Sequence, residues 1–370
     1  MHIKCLKSEL LQALQVIFPA ISTKTSLPVL SNVLLKITEN NTLILISTDL
    51  EMTIKTYINA TVIKKGGITI PAKRLLDITK ELGTEEIELK VNEDFKVYLT
   101  SGKSKFTIMG LDEEDYPVIP EIMENDVHFV IDKDLLKNMI NKTIFSVSYD
   151  ETRHVLNGIY VKVEDNKIIM VSTDGRRLCY IDNKFDAENS GNFDFILSTK
   201  TISELNKLIG MLTIDDVEIG IKDNQVAFKI DKHIMLAKLI QGIFPNYSQI
   251  IDQNFSMNID INKEDLFAIT KRVSILNMDK TESIKYSFWN NKLNVSVATQ
   301  GIGEAEDEID IVYEGSVFDI AYNPNYIMDV LRNMESDEIS LMLSTPINPC
   351  AIKEKGTDSS YLCVIMPMRI

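Results

Sequence analysis

Few residues in this chain have the types and spacing that catalysis or metal binding would require. Asp49 and Asp174 each follow a strand-like segment, and Glu304, Glu306 and Glu308 alternate, so that their carboxylates would share one face of a strand. Carboxylates placed in this way could hold a divalent cation that activates water for phosphodiester hydrolysis. A metal-dependent nuclease is therefore one hypothesis for this sequence.

Other features of the sequence argue against that chemistry. The four histidines lack ligand spacing, and the chain contains no glycine-rich phosphate loop and no GxSxG or HExxH motif. A third strand, similar to those before Asp49 and Asp174, ends in Gln300, which favours a structural role in which the aspartates cap backbone amides. The acidic strand at residues 304–308 is better interpreted as an edge that opposes unwanted strand pairing. We expect no catalytic residue, no metal and no cofactor.

The composition is that of a globular protein with a sizeable core. Hydrophobic residues make up 45% of the 370 positions, which is enough chain for two or three domains. The four scattered cysteines indicate reduced, buried thiols. Neither a signal pattern nor a membrane-spanning run is evident, so we expect a cytoplasmic location and no membrane partner. The net charge of −15 argues against nucleic acid as a partner, although only the local charge at a contact face decides this.

Three helical segments, at residues 70–82, 196–209 and 320–334, repeat one pattern. Each follows an extended residue and carries an acidic residue at an equivalent place, namely Asp77, Glu204 and Asp329. We predict Ser198 or Thr199 as the cap of the second segment, and we predict that Asn323 caps the third, in which Pro324 is the first residue. The apolar stripes predicted to be buried are Leu75, Leu76, Ile78 and Leu82 in the first segment, Ile202, Leu205, Leu208 and Ile209 in the second, and Ile327, Leu331 and Met334 in the third.

Two further features recur in the same order. Similar strand ends lie at residues 46–49, 171–174 and 297–300, and similar opening helices lie at 7–14, 132–139 and 263–270. Three anchors with a spacing of about 125 residues indicate three copies of one domain. Each copy combines two helices with several antiparallel strands, which predicts an α+β fold. We place the domains at 1–122, 123–252 and 253–370.

Consecutive copies make head-to-tail contacts, which generate a ring when the rotation closes. The helices of such a ring would give it a basic lining inside an acidic shell, although an ordinary solvated position remains the alternative for any single side chain. The helical residues predicted to form this lining are Lys73, Arg74, Lys80, Lys137, Lys142, Lys200, Lys207, Lys271, Arg272 and Arg332.

Motifs along the whole chain resemble those of bacterial DNA polymerase sliding clamps, the β-subunit family. They are Ser26-Leu-Pro-Val-Leu-Ser-Asn32, Thr48-Asp-Leu-Glu-Met52, Arg153-His-Val-Leu-Asn-Gly158, Ser172-Thr-Asp-Gly-Arg-Arg-Leu178, Phe244-Pro-Asn-Tyr247 and Val364-Ile-Met-Pro-Met-Arg369. The resemblance implies a head-to-tail homodimer that closes a ring of six domains around duplex DNA. It implies no covalent chemistry. Such a ring binds DNA independently of sequence and raises polymerase processivity by tethering.

The same resemblance assigns residues to three sites. It implies DNA contacts at Lys24 and Lys73, and it implies that the polymerase α subunit, the clamp loader and other partners bind one pocket through short linear peptides. The implied pocket residues are Arg153, Leu156, Thr173, Gly175, Arg176, Leu178, Pro245, Ile250, Asn323, Tyr326, Ile347, Val364, Met366, Met368 and Arg369. The implied dimer interface joins Phe106, Ile108, Lys103 and Lys105 of one copy to Ile275, Leu276, Glu304 and Glu306 of another.

Two alternatives to these assignments stay open at this point. Met366 and Met368 could pack in the core of their own domain instead of lining a pocket. The whole chain could be a scaffold that binds peptides without encircling DNA.

Overall fold

The computed structural model describes residues 1–22, 26–119, 127–164, 166–184, 192–277, 283–356 and 360–369. The chain divides into two compact units. The first unit comprises Met1–Asp134 with Glu204–Leu239, and the second comprises Leu135–Ser203 with Ile240–Ile370. The predicted boundary at 122/123 lies outside the described residues, and the boundary at 252/253 stays a prediction.

The first unit contains two antiparallel sheets and the helices α1 (Lys7–Ile17) and α2 (Ala72–Glu81). The strands of the smaller sheet, in spatial order, are β5 (Thr61–Lys64), β1 (His2–Leu6), β7 (Glu86–Val91), β8 (Lys96–Ser101) and β9 (Ser104–Met109). The strands of the larger sheet are β10 (Val127–Asp132), β15 (Asp216–Lys222), β16 (Gln225–Ile230), β17 (His233–Lys238), β4 (Met52–Ile58), β3 (Leu43–Thr48), β2 (Asn32–Ile37) and β6 (Gly67–Pro71).

The second unit repeats this arrangement with the helices α5 (Ser248–Ile251), α6 (Lys263–Val273) and α7 (Pro324–Arg332). Its larger sheet, in spatial order, consists of β14 (Phe193–Ser198), β11 (Gly158–Glu164), β12 (Lys167–Thr173), β13 (Arg177–Lys184), β25 (Leu362–Ile365), β24 (Cys350–Glu354), β23 (Glu338–Leu343) and β18 (Met257–Asn262). Its smaller sheet consists of β21 (Gly303–Asp310), β20 (Lys292–Thr299), β19 (Ile284–Trp289) and β22 (Phe318–Tyr322). The chain also forms α3 (Lys133–Ile144) and α4 (Thr199–Met211). The prediction of an α+β fold is confirmed.

The helix ends agree with the predicted capping chemistry. Ser198 Oγ accepts a hydrogen bond from the Thr201 amide at 3.2 Å, and Asn323 Oδ1 accepts one from the Asn325 amide at 2.9 Å. Ser198, rather than Thr199, is therefore the cap of α4. The predicted stripes are buried in all three helices, except that Ile78 of α2 is only half-buried.

The prediction for the cysteines is also confirmed. The four cysteines are buried and unpaired, and burial raises the pKa of Cys5 and Cys350 to about 12. Asp223 and Asp231 have φ angles of +52° and +54°, the left-handed conformation that suits the tight turns joining β15 to β16 and β16 to β17. Within the described part of the chain, no helix is long and apolar enough to cross a membrane.

Candidate functional site

An apolar cluster lies on the larger sheet of the second unit, and the segment at residues 240–255 packs against it. We call it the second-unit cluster. Its half-buried members, which include Val155, Tyr247, Ile250 and Met342, leave apolar surface open to a ligand. Its buried members are Leu156, Ile169, Val171, Leu178, Ile196, Phe244, Ala351 and Val364. The register of the sheet brings them together, since Leu178 of β13 and Ala351 of β24 both pair with Val364 of β25.

Aromatic rings stiffen this cluster. Tyr160 stacks on Phe244 with ring centroids 5.0 Å apart, and Tyr247 lies 5.9 Å from both Tyr160 and Tyr180. Burial raises the pKa of Tyr160 and of Tyr180, so both phenols stay protonated. The cluster therefore presents neutral aromatic surface with hydroxyl groups at its margin.

The turn between β12 and β13 borders the cluster and is held by its own side chains. Asp174 Oδ1 accepts hydrogen bonds from the amides of Arg176 (2.8 Å) and Arg177 (3.0 Å). Thr173 Oγ1 donates to the Arg177 carbonyl at 2.6 Å. The Asp174 side chain thus has the predicted capping role. Asp49 repeats it by accepting from two amides in the first unit.

Gly175 completes this turn with a φ of +84°, which favours glycine. A Cβ atom at Gly175 would lie 2.8 Å from Arg153 Nη1. Arg153 Nη1 itself donates to the Asp174 carbonyl at 3.2 Å. The exposed guanidinium of Arg153 is therefore held against the turn, beside the exposed Arg176.

Arg177 ties this turn to helix α7. Its Nη1 lies 2.8 Å from Asp329 Oδ2, its Nη2 donates to the Phe145 carbonyl at 2.7 Å, and its Nε lies 3.1 Å from Asp174 Oδ2. Its guanidinium also stacks on the Tyr326 ring at 4.6 Å. Burial opposes the charge of Arg177, but the hydrogen bond with Asp329 and the charge of Asp174 outweigh it and raise the pKa. Arg177 is thus a fixed cation.

The C-terminal segment runs along the same region. The Met366 amide donates to the Arg176 carbonyl at 2.8 Å, and the Met368 amide donates to the Ala321 carbonyl at 2.8 Å. Ala321 precedes Asn323, whose buried side chain caps α7. Met366 is 44% exposed and Met368 is half-buried, so Met366 does not pack in the core of its own domain.

The structure thus places most of the predicted pocket residues in three connected groups. Leu156, Leu178, Ile250 and Val364 belong to the second-unit cluster, Arg153, Thr173, Gly175, Arg176 and Met366 surround the turn, and Asn323, Tyr326 and Met368 lie around the start of α7. Pro245 and Arg369 are exposed, and Ile347 is exposed in the loop between β23 and β24.

Sequence reasoning missed several contributors to this region. Phe244 and Tyr247 flank the predicted Pro245, and Arg177 adjoins the predicted Arg176. The sequence could have identified the two aromatic residues, because the motif at 244–247 begins and ends with them. Arg177 could not be distinguished from Arg176 by pattern, because only the fold shows which guanidinium faces Asp329.

The predicted basic lining has mixed surroundings. Lys73, Arg74, Lys80 and Lys271 are exposed, and no carboxylate among the described residues pairs with them. Lys137 is half-buried and Lys200 is exposed. Three other cations are exposed but paired: Lys207 with Glu204 (2.8 Å), Arg272 with Asp307 (2.6 Å) and Arg332 with Asp329 (2.9 Å). Lys24 lies outside the described residues.

The prediction for Lys142 is wrong. This side chain is 5% exposed and lies 3.4 Å from the buried carboxylate of Glu354. Its ammonium also sits over the Tyr361 ring, 5.0 Å from the centroid. A cation that is desolvated and neutralised inside the protein cannot also meet a phosphate. The helical pattern predicted an exposed side chain because the sequence neighbours of Lys142 are polar. The pattern could not show its partner Glu354, which lies 212 residues further along the chain.

The two predicted interface strands lie at sheet edges, β9 in the first unit and β21 in the second. Lys103, Lys105 and Phe106 are exposed at β9, but Ile108 is only 5% exposed. Ile108 shares the strand face of Phe106, two residues away, but its side chain already packs in its own unit, so it offers little surface to a partner and its place in the interface stays a prediction.

The partner strand β21 carries Glu304 and Glu306, which are exposed together with Glu308. Ile275 is exposed in the turn that follows α6, and the neighbouring Leu276 is half-buried. The carbonyl of Leu276 accepts a hydrogen bond from Thr299 Oγ1 at 2.8 Å, which fixes this turn at the end of β20. Among the described residues, no cluster of His, Cys, Asp and Glu could hold a metal ion. The acidic residues of β21 lie on the terminal strand of the smaller sheet.

Comparisons with known proteins agree with this architecture. Models of the DNA polymerase III beta subunit match residues 1–120 (N-terminal domain), 130–246 (central domain) and 248–369 (C-terminal domain). A beta sliding clamp of Chlamydia pneumoniae is 31% identical over 364 residues, which cover 98% of each chain.

Solved structures are similar along the whole chain as well. The DNA polymerase sliding clamp of Bacillus subtilis is 26% identical with a TM-score of 0.93, and the match covers 100% of this chain and 99% of that one. A sliding clamp of Pseudomonas aeruginosa bound to griselimycin is 28% identical with a TM-score of 0.92, and the match covers 100% of both chains.

Proposed function

The chain belongs to the DNA polymerase III beta subunit family, and we propose that it works as a homodimeric ring that encircles duplex DNA and tethers the replicative polymerase. The observation that carries this proposal is the match of three successive beta-subunit domains over residues 1–369. The chain is a processivity factor without catalytic chemistry of its own. The nucleotidyl transfer belongs to the polymerase that it holds, and the complex works in the cytoplasm, where the chromosome lies.

Ring closure rests on the two edge strands. Strand β9 presents Lys103 and Lys105, and strand β21 presents Glu304 and Glu306. Within the described ranges, each strand is the last of its sheet and has an unpaired edge, so β9 of one copy can add to β21 of another by antiparallel pairing. The opposite charges favour this pairing over β9 with β9 or β21 with β21. In a head-to-tail dimer the contact forms twice, which closes the ring.

Contact with DNA is assigned to the exposed cations of the helices. Lys73, Arg74, Lys80 and Lys271 are the first candidates, because no carboxylate among the described residues neutralises them. Lys137, Lys200, Lys207, Arg272 and Arg332 complete the proposed lining. Such contacts touch phosphates only, so binding is independent of sequence and weakens with salt. Topology, rather than affinity, keeps a closed ring on DNA.

The second-unit cluster and the adjoining turn are the proposed site for partner peptides. An apolar surface with a Met side chain at its margin adapts to different leucine or phenylalanine anchors. Arg153 and Arg176 beside it favour peptides that also carry a carboxylate. The polymerase α subunit and the clamp loader would both bind here, so they would compete for one site.

DNA retention tests the central proposal. The purified dimer is loaded on nicked circular plasmid with a clamp loader, and half of the sample is then cut with a restriction enzyme. We expect the protein to stay on circles through gel filtration and to leave the linear DNA. Equal retention on both forms would identify a surface binder. No retention on either, with peptide binding intact, would identify a scaffold that never encircles DNA.

Charge exchange tests the interface. Glu304→Lys with Glu306→Lys places like charges opposite Lys103 and Lys105, so we expect monomers by sedimentation at low salt. Adding Lys103→Glu and Lys105→Glu to the same chain restores opposite charges and should restore the dimer. Ile275→Ala with Leu276→Ala should also give monomers, since truncating a buried apolar contact costs about 2–5 kcal/mol per residue. An unchanged dimer in all variants would reject this interface.

A further inference from the structure

The turn between β3 and β4 in the first unit repeats the hydrogen bonds of the turn beside the proposed peptide site. Asp49 Oδ1 accepts from the amides of Glu51 (3.0 Å) and Met52 (2.7 Å), as Asp174 does from its own two amides. Thr48 Oγ1 donates to the Met52 carbonyl at 3.1 Å, as Thr173 does in the second unit. The two turns are therefore equivalent parts of two copies of the domain.

The strands that follow these turns are paired in the same register. Leu236 of β17 pairs with Thr53 of β4, where the second unit pairs Val364 with Leu178. The Lys238 amide then donates to the Glu51 carbonyl at 2.9 Å, at the place where Met366 bonds to Arg176. The first unit thus reproduces the backbone of the proposed peptide site.

A cleft of about 260 Å³ lies at this place in the first unit. Thr48, Leu50, Val118, Ile119 and Leu236 contribute to its wall, and we call it the first-unit cleft. Its volume suits one or two peptide side chains better than a whole cofactor. An apolar cluster that includes Ile46 and Tyr116 lies under Ile119, in parallel with the second-unit cluster.

Two apolar side chains of the cleft stand in solvent. Val118 is 96% exposed and Leu50 is 43% exposed. Leu50 has a φ of +76°, a conformation that costs a leucine about 1 kcal/mol or more, whereas the equivalent Gly175 adopts it freely. A leucine that is strained and also exposed contributes little to the core. Its properties suit contact with an apolar partner instead.

The charge at the rim distinguishes the two places. The turn of the second unit carries Arg176, whereas Glu51 occupies the same position in the first unit. Glu51 is exposed and pairs with the exposed Lys238 at 3.1 Å, a bond that a ligand can exchange at little cost. The exposed Glu114 and Asp115 lie just before Pro117, another residue of the cleft wall, with only Tyr116 between. The rim therefore favours a cation where the other site favours an anion.

We propose that the first-unit cleft is a second peptide-binding site, which takes an extended segment of a partner protein with apolar anchors and an adjacent basic residue. The proposal goes beyond the assigned pocket and does not require ring closure. It gives each chain two docking places of related shape and opposite charge preference. Partners that bind one place would leave the other free.

Fluorescence anisotropy with two defined probes tests this proposal on the full-length dimer. The basic probe is the fluorescein-labelled octapeptide Gly-Arg-Leu-Ser-Leu-Arg-Gly-Ser, and the acidic probe has glutamate in place of both arginines. We expect saturable binding of the basic probe that weakens about five-fold in Val118→Asn, because an apolar contact is lost. Glu51→Lys should weaken it at low salt by a similar factor and strengthen binding of the acidic probe there.

Two controls locate the binding. Val312→Asn makes the same change at another exposed valine and should leave binding of the basic probe unchanged. Met366→Asp, at the second-unit site, should weaken only the acidic probe. Val118 is almost fully exposed, so Val118→Asn keeps the fold, which thermal melting verifies.

Three results would overturn the proposal. They are equal binding of the basic probe to wild type, Val118→Asn and Glu51→Lys, loss of that binding in Met366→Asp, and association of the dimer into larger species that Val118→Asn abolishes. The last result would mean that the cleft takes a second copy of this chain. DNA retention is scored separately, so failure here is distinguishable from failure of the clamp function.

Discussion

The same position of the fold is filled in two chemically different ways in the two units. Helix α1 begins at Lys7 and α3 begins at Lys133, so Val16 matches Lys142. The last residue of β16 is Ile230, and the last residue of the equivalent strand β24 is Glu354. The first unit therefore buries two aliphatic side chains where the second buries an ion pair.

The difference shows what each solution requires from its neighbours. The two aliphatic side chains need only neighbours that pack closely around them. The ammonium group of Lys142 also needs partners for its charge, which are Glu354 at 3.4 Å, Glu335 at 3.6 Å and the Tyr361 ring. Glu354 in turn accepts a hydrogen bond from the Glu335 amide at 2.6 Å. A buried ion pair seldom adds net stability over apolar packing, but its loss is costly because it leaves one charge alone. We infer that this position of the fold can hold either two aliphatic side chains or an ion pair, but not a single charged side chain without its partner.

The largest expected effect comes from breaking the ion pair. Lys142→Ala leaves the Glu354 carboxylate buried without a counterion, and we expect the free energy of unfolding to fall by about 3–5 kcal/mol. Urea denaturation measures this loss. Val16→Ala in the first unit is the matched control, and removal of its buried methyl groups should cost less.

The double variant Lys142→Met with Glu354→Leu gives the second unit the apolar solution of the first. Because Glu335 is exposed, water can replace the acceptor that its amide loses. We expect stability near that of the wild type or higher, as for other buried pairs replaced by apolar side chains of similar volume. A double variant as unstable as Lys142→Ala would contradict the comparison.

The two capped turns give the next comparison. Met52 is buried at the place where Arg177 contacts Asp174, Asp329 and the Phe145 carbonyl. Arg177→Met copies the first unit but leaves these acceptors without their donor. Since both carboxylates are partly exposed, we expect a loss of about 2–3 kcal/mol in urea denaturation.

Arg176→Met is the control for Arg177→Met. This neighbouring arginine is exposed, so its replacement should change the stability by less than about 0.5 kcal/mol. Similar losses in both variants would mean that the two guanidinium groups are equivalent, contrary to the geometry.

These comparisons also explain which features could be predicted from the sequence. The caps Ser198 and Asn323 and the roles of Asp49 and Asp174 depend on residues two or three positions away, which a sequence pattern shows. The apolar stripes depend on helical periodicity in the same way. Only Ile78 of α2 departs, because it lies at the margin of its stripe.

The residues that could not be predicted have partners far along the chain. In the sequence, Lys142 resembles any exposed lysine of a helix. Only the fold shows that Glu354 of β24 lies beside it. Ile108 lies in an edge strand, and only the register of β8 with β9 shows that its side chain points inward. The first-unit cleft needs three segments, from β3–β4, β16–β17 and residues 117–119, and no local pattern joins them.

A pH-dependent difference between the units is expected at His233. This side chain begins β17 and is buried, and its Nδ1 lies 2.7 Å from Thr56 Oγ1. Among the described residues, its Nε2 has no hydrogen-bond partner. Burial lowers the pKa of His233, and the charge of Lys232 adds to this effect. The equivalent residue of the second unit is Tyr361, just before β25, which does not titrate in this range.

The sign of this effect follows from proton binding. Below about pH 6.5 the unfolded chain takes up a proton that the folded His233 resists, so stability is full above that pH and falls as the pH decreases. The slope cannot exceed about 1.4 kcal/mol per pH unit for one proton. Hydrogen exchange of the β4 and β17 amides, corrected for intrinsic rates, measures it. The same slope in His233→Gln would assign the effect to other groups.

The smallest expected effects concern the left-handed residue of each turn. Leu50→Gly removes the strain at φ +76° but adds chain entropy to the unfolded state, so we expect a change within about 1 kcal/mol. Gly175→Ala introduces that strain at φ +84° and places Cβ near Arg153 Nη1, the flexible end of an exposed side chain that can move. We expect a loss of about 1–2 kcal/mol. Urea denaturation of both variants measures these changes. Leu50 shows that a side chain can occupy this backbone conformation in the first unit. A loss above about 4 kcal/mol in Gly175→Ala would therefore show that the two turns are not interchangeable.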